Sequence, residues 1–217
     1  MTAFDAMTLG TAGFTAALAI MHMQTNGLVP ENGPVAVTGA TGGVGSVAVE
    51  ILAKLGHHVV AITGKGEEAD YLKGIGAREV VLRQSLDLAK IRPLDRATFA
   101  GAIDNLGGDI LAWLLSTQKI GGTVAAVGLA AGYKLNTTVM PFILRGVHLL
   151  GTDSVNCPMA MRQRIWNKLA VEWRPDRVHD SVRTIDFDEL PTHFDAYIKG
   201  LIRGRTVVRI APDTHGG

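Results

Sequence analysis

The sequence predicts a doubly wound α/β fold, a parallel sheet with helices on both faces. Three observations carry that prediction. A short apolar strand beginning at Val35 runs into a glycine-rich turn and then a helix. Strand and helix patterns go on alternating as far as residue 152, as a parallel sheet with crossover helices requires. Finally, 47% hydrophobic residues and 26 glycines suit buried parallel strands joined by tight turns.

The turn reads Val35-Ala-Val-Thr-Gly-Ala-Thr-Gly-Gly-Val-Gly-Ser46. Ala40, Gly42 and Gly45 fall on the spacing of a dinucleotide-binding turn, with alanine at the usual first glycine. The first position makes a tight turn, the second lets backbone approach a pyrophosphate, and the third lets the helix pack against its strand. The helix then offers unpaired N–H groups and its positive dipole end to phosphate. A glycine-rich loop alone would fit many α/β proteins. Here strand, turn and helix arrive in the required order, so the expected sheet is of the Rossmann kind.

In the helix, Val44, Val47, Ala48, Ile51, Leu52 and Leu55 recur at spacings of three and four and form one apolar stripe. Gly56 stands where a left-handed cap would end it. Residues 57–63 read as a second buried strand, rich in β-branched side chains. His57 and His58 at its start read as loop residues, with no Cys, Asp or Glu beside them at metal-ligand spacing. Folds specific for NAD place a carboxylate about twenty residues past the turn to hold the ribose 2′-hydroxyl. This chain has Thr63-Gly64-Lys65 there, and no carboxylate until Glu67. A hydroxyl, bare backbone and an ammonium suit a 2′-phosphate, so NADP(H) is the expected cofactor. The plainer alternative is a solvated lysine in a turn.

A helix follows at 67–75, closed by Gly76, then a third strand at 77–82 and a fourth at 101–106. The helix at 109–118 turns Leu111, Leu114 and Leu115 to the sheet. The fifth strand, 122–127, ends at Gly128, on the carboxyl side where open sheets bind ligands, and residues 148–152 read as a sixth. From Asn156 the composition shifts to charges and prolines, with a helix expected over 191–202 and a last strand over 205–210. Those charges read as a solvated face. The segment has too few apolar residues to fold alone and is expected to pack on something else. The organisation predicted is a lead-in helix at 1–23, a cofactor-binding domain at 24–155 and a C-terminal helix-and-strand segment at 156–217.

A net charge of +1 gives no reason to expect nucleic acid or an anionic membrane as partner. The single cysteine, Cys157, excludes an internal disulfide, and no metal site is expected. Residues 10–23 are uncharged but too few, and too broken by Gly and Thr, to span a bilayer. Asp5 and the lack of an early basic residue argue against a signal peptide, so a cytoplasmic location is expected.

Several further stretches carry a family resemblance: Gly-Thr-Ala-Gly-Phe-Thr-Ala at 10–16, Gly-Leu-Ala-Ala-Gly at 128–132, Thr-Thr-Val-Met-Pro-Phe-Ile-Leu-Arg at 137–145, Asp153-Ser154 and Gly-Arg-Thr-Val-Val at 204–208. With the glycine turn, they make the chain resemble the acrylyl-CoA reductase branch of the zinc-independent medium-chain dehydrogenases/reductases, relatives of the quinone oxidoreductases. The resemblance covers residues 8–210. The glycine turn is shared across that superfamily, whereas the Thr-Thr-Val-Met-Pro run is specific to the branch. Members of the branch begin with a GroES-like catalytic domain that has no counterpart here. On the resemblance the chain is expected to be a fragment, its tail from Val178 returning to that domain.

The resemblance implies pyrophosphate contacts from Thr41, Gly42, Gly43 and Val44, and 2′-phosphate contacts from Thr63, Gly64, Lys65 and Arg83. It implies that Leu129, Ile143 and Ser154 border the nicotinamide, and that Gly200 contributes backbone alone. Ile143 has ordinary core packing as its alternative, and Arg83 a surface role. The implied reaction is hydride transfer from NADPH to the β-carbon of a short enoyl-CoA, with no residue identified as proton donor. A quinone or enone reductase and a cofactor-binding module without turnover remain as alternatives. The resemblance also implies a homodimer, paired through the sixth strand.

Overall fold

The computed structural model describes residues 1–210. Its main sheet has the strand order β3-β2-β1-β4-β5-β6, built from β1 (Val35–Thr38), β2 (Val59–Thr63), β3 (Glu79–Leu82), β4 (Phe99–Asp104), β5 (Gln118–Ala126) and β6 (His148–Gly151). Every pairing in it is parallel. This is the doubly wound Rossmann arrangement the sequence predicts, with the order reversing between β1 and β4. Side chains alternate along the strands between two cores. Val35, Val37, Val59 and Ala61 pack with α1 (Ala3–Thr25), α2 (Gly43–Lys54) and α6 (Met159–Ala170). Ala36, Val60, Ile62 and Ala102 pack with Ile110, Leu111, Leu114 and Leu115 of α4 (Gly108–Ser116) on the other face. Each fully buried leucine or isoleucine there contributes about 1.5–3 kcal/mol relative to exposure.

The expected lead-in helix is α1, and it is integral to the first core. Thr2 and Asp5 form a capping box at its start, and Phe14, Leu18, Ile20 and Met23 are fully buried. Gly10, at φ 49°, interrupts its helical path. The interruption frees the Thr8 carbonyl, which accepts a 3.0 Å hydrogen bond from Arg205 Nε. Two sequence stretches far apart in the chain thereby hold each other.

After Asn156 three elements differ from the sequence reading, and before it a helix over 140–145 was not expected. The polar stretch after Asn156 contains α6, which inserts Ile165 and Leu169 into the first core while Trp173 follows it there. The segment 182–186 is a strand, β7 (Val182–Asp186), pairing in parallel with β8 (Arg205–Arg209) in a separate small sheet. The helix expected over 191–202 is α7 (Leu190–Ile198), closed by a turn at Lys199 and Gly200 before an irregular segment. Two short helices, α3 (Ala69–Gly74) and α5 (Met140–Arg145), complete the fold. The part of the tail at 211–217 lies outside the described residues.

Candidate functional site: the groove at the strand ends

The carboxyl ends of β1, β2 and β4 open onto a groove of about 680 Å³. The glycine turn forms its floor, but the tight turn is not where the sequence suggests. Gly39 carries the left-handed backbone, at φ 57°, whereas Ala40 is fully buried and has no positive φ. The reason is local. The chain must reverse at the first residue past β1, and only a glycine takes that conformation without strain. Gly42 then caps α2 with extended backbone and no side-chain cap, leaving the first-turn N–H groups facing the groove. Gly45 meets the turn from below: a Cβ there would stand 2.3 Å from the Gly39 carbonyl oxygen. The third position is therefore the close-packing one, as expected.

A buried polar network braces the point where the strand order reverses. Thr38 Oγ1 donates to Asp104 Oδ1 at 2.6 Å and accepts from the Asn105 backbone N–H at 2.9 Å. The Asn105 side-chain amide donates to the Thr38 carbonyl at 2.7 Å. The Gly107 N–H donates to the second Asp104 oxygen at 2.7 Å. Burial pushes the Asp104 carboxyl above its ordinary range, against the downward pull of these donors. The network joins β1 to β4 and presents Asn105 to the groove.

At the far end, Thr63, Gly64, Lys65 and Arg83 converge. Thr63 Oγ1 accepts from the Lys65 backbone N–H at 3.0 Å, which sets the turn after β2. The Arg83 guanidinium lies over Gly64, where a Cβ would come within 3.8 Å of it. The Lys65 ammonium donates at 2.8 Å to the carbonyl of Ile202, on the irregular segment after α7. That segment, with Gly200, Leu201 and Ile202, forms the outer wall. It is pinned where the Gly204 N–H donates to the Thr41 carbonyl at 2.9 Å.

Of the residues singled out in the sequence, Thr41, Gly42, Thr63, Gly64, Lys65, Arg83 and Gly200 line this one groove. Gly43 faces the Arg205 side chain, and Val44 packs against the first core. Leu129 borders an adjoining hollow of about 270 Å³ with Leu111, Val127 and Tyr133. Ile143 is exposed on α5, and the Ser154 carbonyl accepts from Arg162; neither lines the groove or that hollow. Sequence reasoning missed Asn105 and, apart from Gly200, the wall from Ile198 to Ile202. The Asp-Asn pair ending the fourth strand was a signal for Asn105, since ligands of open sheets bind there. Nothing local signalled the wall, which arrives from far along the chain.

The groove fits a dinucleotide phosphate on its own chemistry. An uncapped helix N-terminus stands at one part and two cations with a hydroxyl at another, and Gly42 leaves room for close backbone approach. Among the described residues, no group of three His, Cys, Asp or Glu side chains is placed to hold a metal ion.

Residues 43–171 match the family described as zinc-binding dehydrogenase. The acrylyl-CoA reductase AcuI of Ruegeria pomeroyi is 48% identical over 206 residues, which cover 95% of this chain and 62% of that protein. The putative quinone oxidoreductase YhfP of Bacillus subtilis is 46% identical over 207 residues, 95% of this chain and 63% of its own length. The crystal structure of Bacillus subtilis yhfP with NAD bound superposes with a TM-score of 0.91. The yhdH oxidoreductase of Salmonella enterica, solved in complex with NADP, superposes with a TM-score of 0.94 at 44% identity, over 97% of this chain and 64% of that one. The chain thus spans under two thirds of the length of these relatives.

Proposed function

The chain belongs to the zinc-binding dehydrogenase family, and from that premise we propose that it binds NADPH and reduces the α,β double bond of a short enoyl-CoA such as acrylyl-CoA. The observation that carries the cofactor half is the placement of Lys65, Arg83 and Thr63 in one groove with the open N-terminus of α2. Thr41 and Gly42 border the pyrophosphate site, with Gly43 and Val44 supplying first-turn N–H groups. Lys65 and Arg83 hold the 2′-phosphate, and Gly200 meets the ligand with backbone alone. Leu129, Ile143 and Ser154 belong to the nicotinamide end.

When bound, NADPH supplies the hydride for the acceptor's β-carbon. The chain's own residues bind and orient. The α2 N-terminus and the two cations fix the phosphates, and the Thr38–Asp104–Asn105 network keeps the β1 and β4 ends from shifting beneath them. No side chain here is assigned as proton donor, and protonation from solvent serves.

A second reading, reduction of an uncharged quinone or enone, draws support from that same hollow, whose Leu111, Val127, Leu129 and Tyr133 suit an apolar acceptor. Loss of NADPH absorbance with acrylyl-CoA, and separately with a simple quinone, divides the two. Binding of NADPH without turnover on either would instead make the chain a cofactor-binding module. The remaining parts of the proposal are a cytoplasmic protein, free of nucleic acid, membrane and resident metal. It is also a homodimer, because β6 stands at the open edge of the sheet, where unpaired N–H and C=O groups accept another strand. Light scattering at micromolar concentration should give twice the chain mass; a monomer mass would remove that part.

A further inference from the structure

The 2′-phosphate end of the groove is lined by Lys65 and Arg83 but also by Glu67 and Glu68. The formal charges of these four side chains cancel. Lys199 adds one positive charge from the outer wall, so the two carboxylates decide how much of that charge a ligand with an extra phosphate dianion meets. A further cation stands behind one of them. Arg203, on the segment that closes the groove, donates to Glu68 Oε2 at 2.8 Å. Its guanidinium lies over the Tyr71 ring, 4.7 Å from the centroid, which restrains it on that side. The Glu68 side chain is 19% exposed and Arg203 is 41% exposed, so the carboxylate is the more sheltered partner. Arg203 itself borders a separate surface hollow with Asp180 and Arg183, on the other side of Glu68 from the ligand.

We infer that Arg203 is a positioning residue that sets cofactor choice: it engages the Glu68 carboxylate from behind, so that Lys65 and Arg83 present a net positive face to the 2′-phosphate. Without Arg203, Glu68 repels the phosphate and offers an acceptor to a bare ribose 2′-hydroxyl, which is the arrangement that favours NADH. This rests on the reading of the groove as an NADPH site and adds to it a residue that does not touch the ligand.

Calorimetric titration of the chain with 2′,5′-ADP and with 5′-AMP tests it without any turnover. The parent chain should bind 2′,5′-ADP the more tightly. Arg203→Gln should weaken 2′,5′-ADP about tenfold, the scale of one charge left unpaired beside the phosphate, and leave 5′-AMP nearly unchanged. Adding Glu68→Gln to that variant should restore most of the loss, since the repelling charge is then gone. A mere anchoring role for Arg203 would weaken both ligands and would not be rescued. Either that pattern, or an Arg203→Gln variant that keeps the full preference, overturns the inference alone. A parent chain that fails to distinguish the two ligands overturns the NADPH reading and this inference with it.

Discussion

The two ends of the groove are made in opposite ways. At the adenosine end, strand order brings Thr63, Lys65 and Arg83 together, and a segment from the far end of the described chain closes over them through Lys65, Arg203 and Gly204. Past the glycine turn the counterpart residues are scattered: Leu129 is 66% exposed and Ile143 71% exposed, on separate elements. Holding a cofactor's phosphates is a task one sheet edge can do. Holding a hydride donor against an acceptor carbon demands near-attack geometry from walls on several sides, and the described residues do not gather them. On the proposed function, affinity and turnover therefore make demands on different parts of the molecule.

That contrast is broken most severely at the turn both ends share. Gly45→Val should lower stability by about 3 kcal/mol in urea denaturation, because its Cβ would meet the Gly39 carbonyl and Ala40 Cα, which are backbone and cannot swing away. A loss below about 1 kcal/mol would show that the turn yields and that its glycines are dispensable. Next in size, Lys65→Ala should weaken NADPH binding by about 2 kcal/mol, the scale of a charge-assisted contact, and leave NADH nearly unchanged. Equal affinities of the parent chain for the two cofactors would erase the distinction between the ends.

A smaller effect is expected beneath the groove. Thr38→Val should cost about 1 kcal/mol, since it leaves the Asn105 N–H without its hydroxyl acceptor and Asp104 without a donor. It should also change the pH dependence. The folded-state pKa of Asp104 lies above its unfolded value, so its stabilising contribution is full below the ordinary carboxylate range and lost as pH rises through the raised value. Removing the Thr38 donor extends that window upward. Denaturation from pH 4 to pH 8 of the parent, Thr38→Val and Asp104→Asn chains should show the slope in the first, widened in the second and reduced in the third, where the Glu50 carboxyl, also raised by burial, still contributes. The smallest effect belongs to the open end. Ile143→Ala should change NADPH affinity by less than about 0.5 kcal/mol, as for an exposed site. A larger loss would mean that α5 closes on the ligand when it binds.

The same contrast governs what the sequence made legible. Six parallel strands were readable in order because the four central ones are largely buried and show as apolar runs, while Val80-Val81 and Leu149-Leu150 keep a short apolar pair in the edge strands β3 and β6. The convergence of Thr63, Lys65 and Arg83 was readable because these residues follow strand ends within a few positions. Gly39 was mistaken for Ala40 because spacing fixes the relation among turn positions and not which residue turns first. Helix α6 was missed because only Ile165 and Leu169 of its twelve residues are buried, too thin a stripe beside its charges. Apart from Gly200, which the family resemblance supplied, the outer wall was illegible for another reason. Its members are ordinary surface residues until the small β7–β8 sheet delivers them across the glycine turn.

Helix α1 has a consequence for how the chain reaches this state. It is long and apolar enough by composition to cross a membrane, yet most of that surface is spent inside the fold. Its partners include α2, β5, α6 and β8, and the last two are synthesised only after the whole main sheet. During translation the helix therefore waits on the ribosome with its sticky side uncovered while its last partner is still unmade. Folding should be slow to complete and hungry for chaperones, and released chains that stop before residue 159 should aggregate where the 217-residue chain does not.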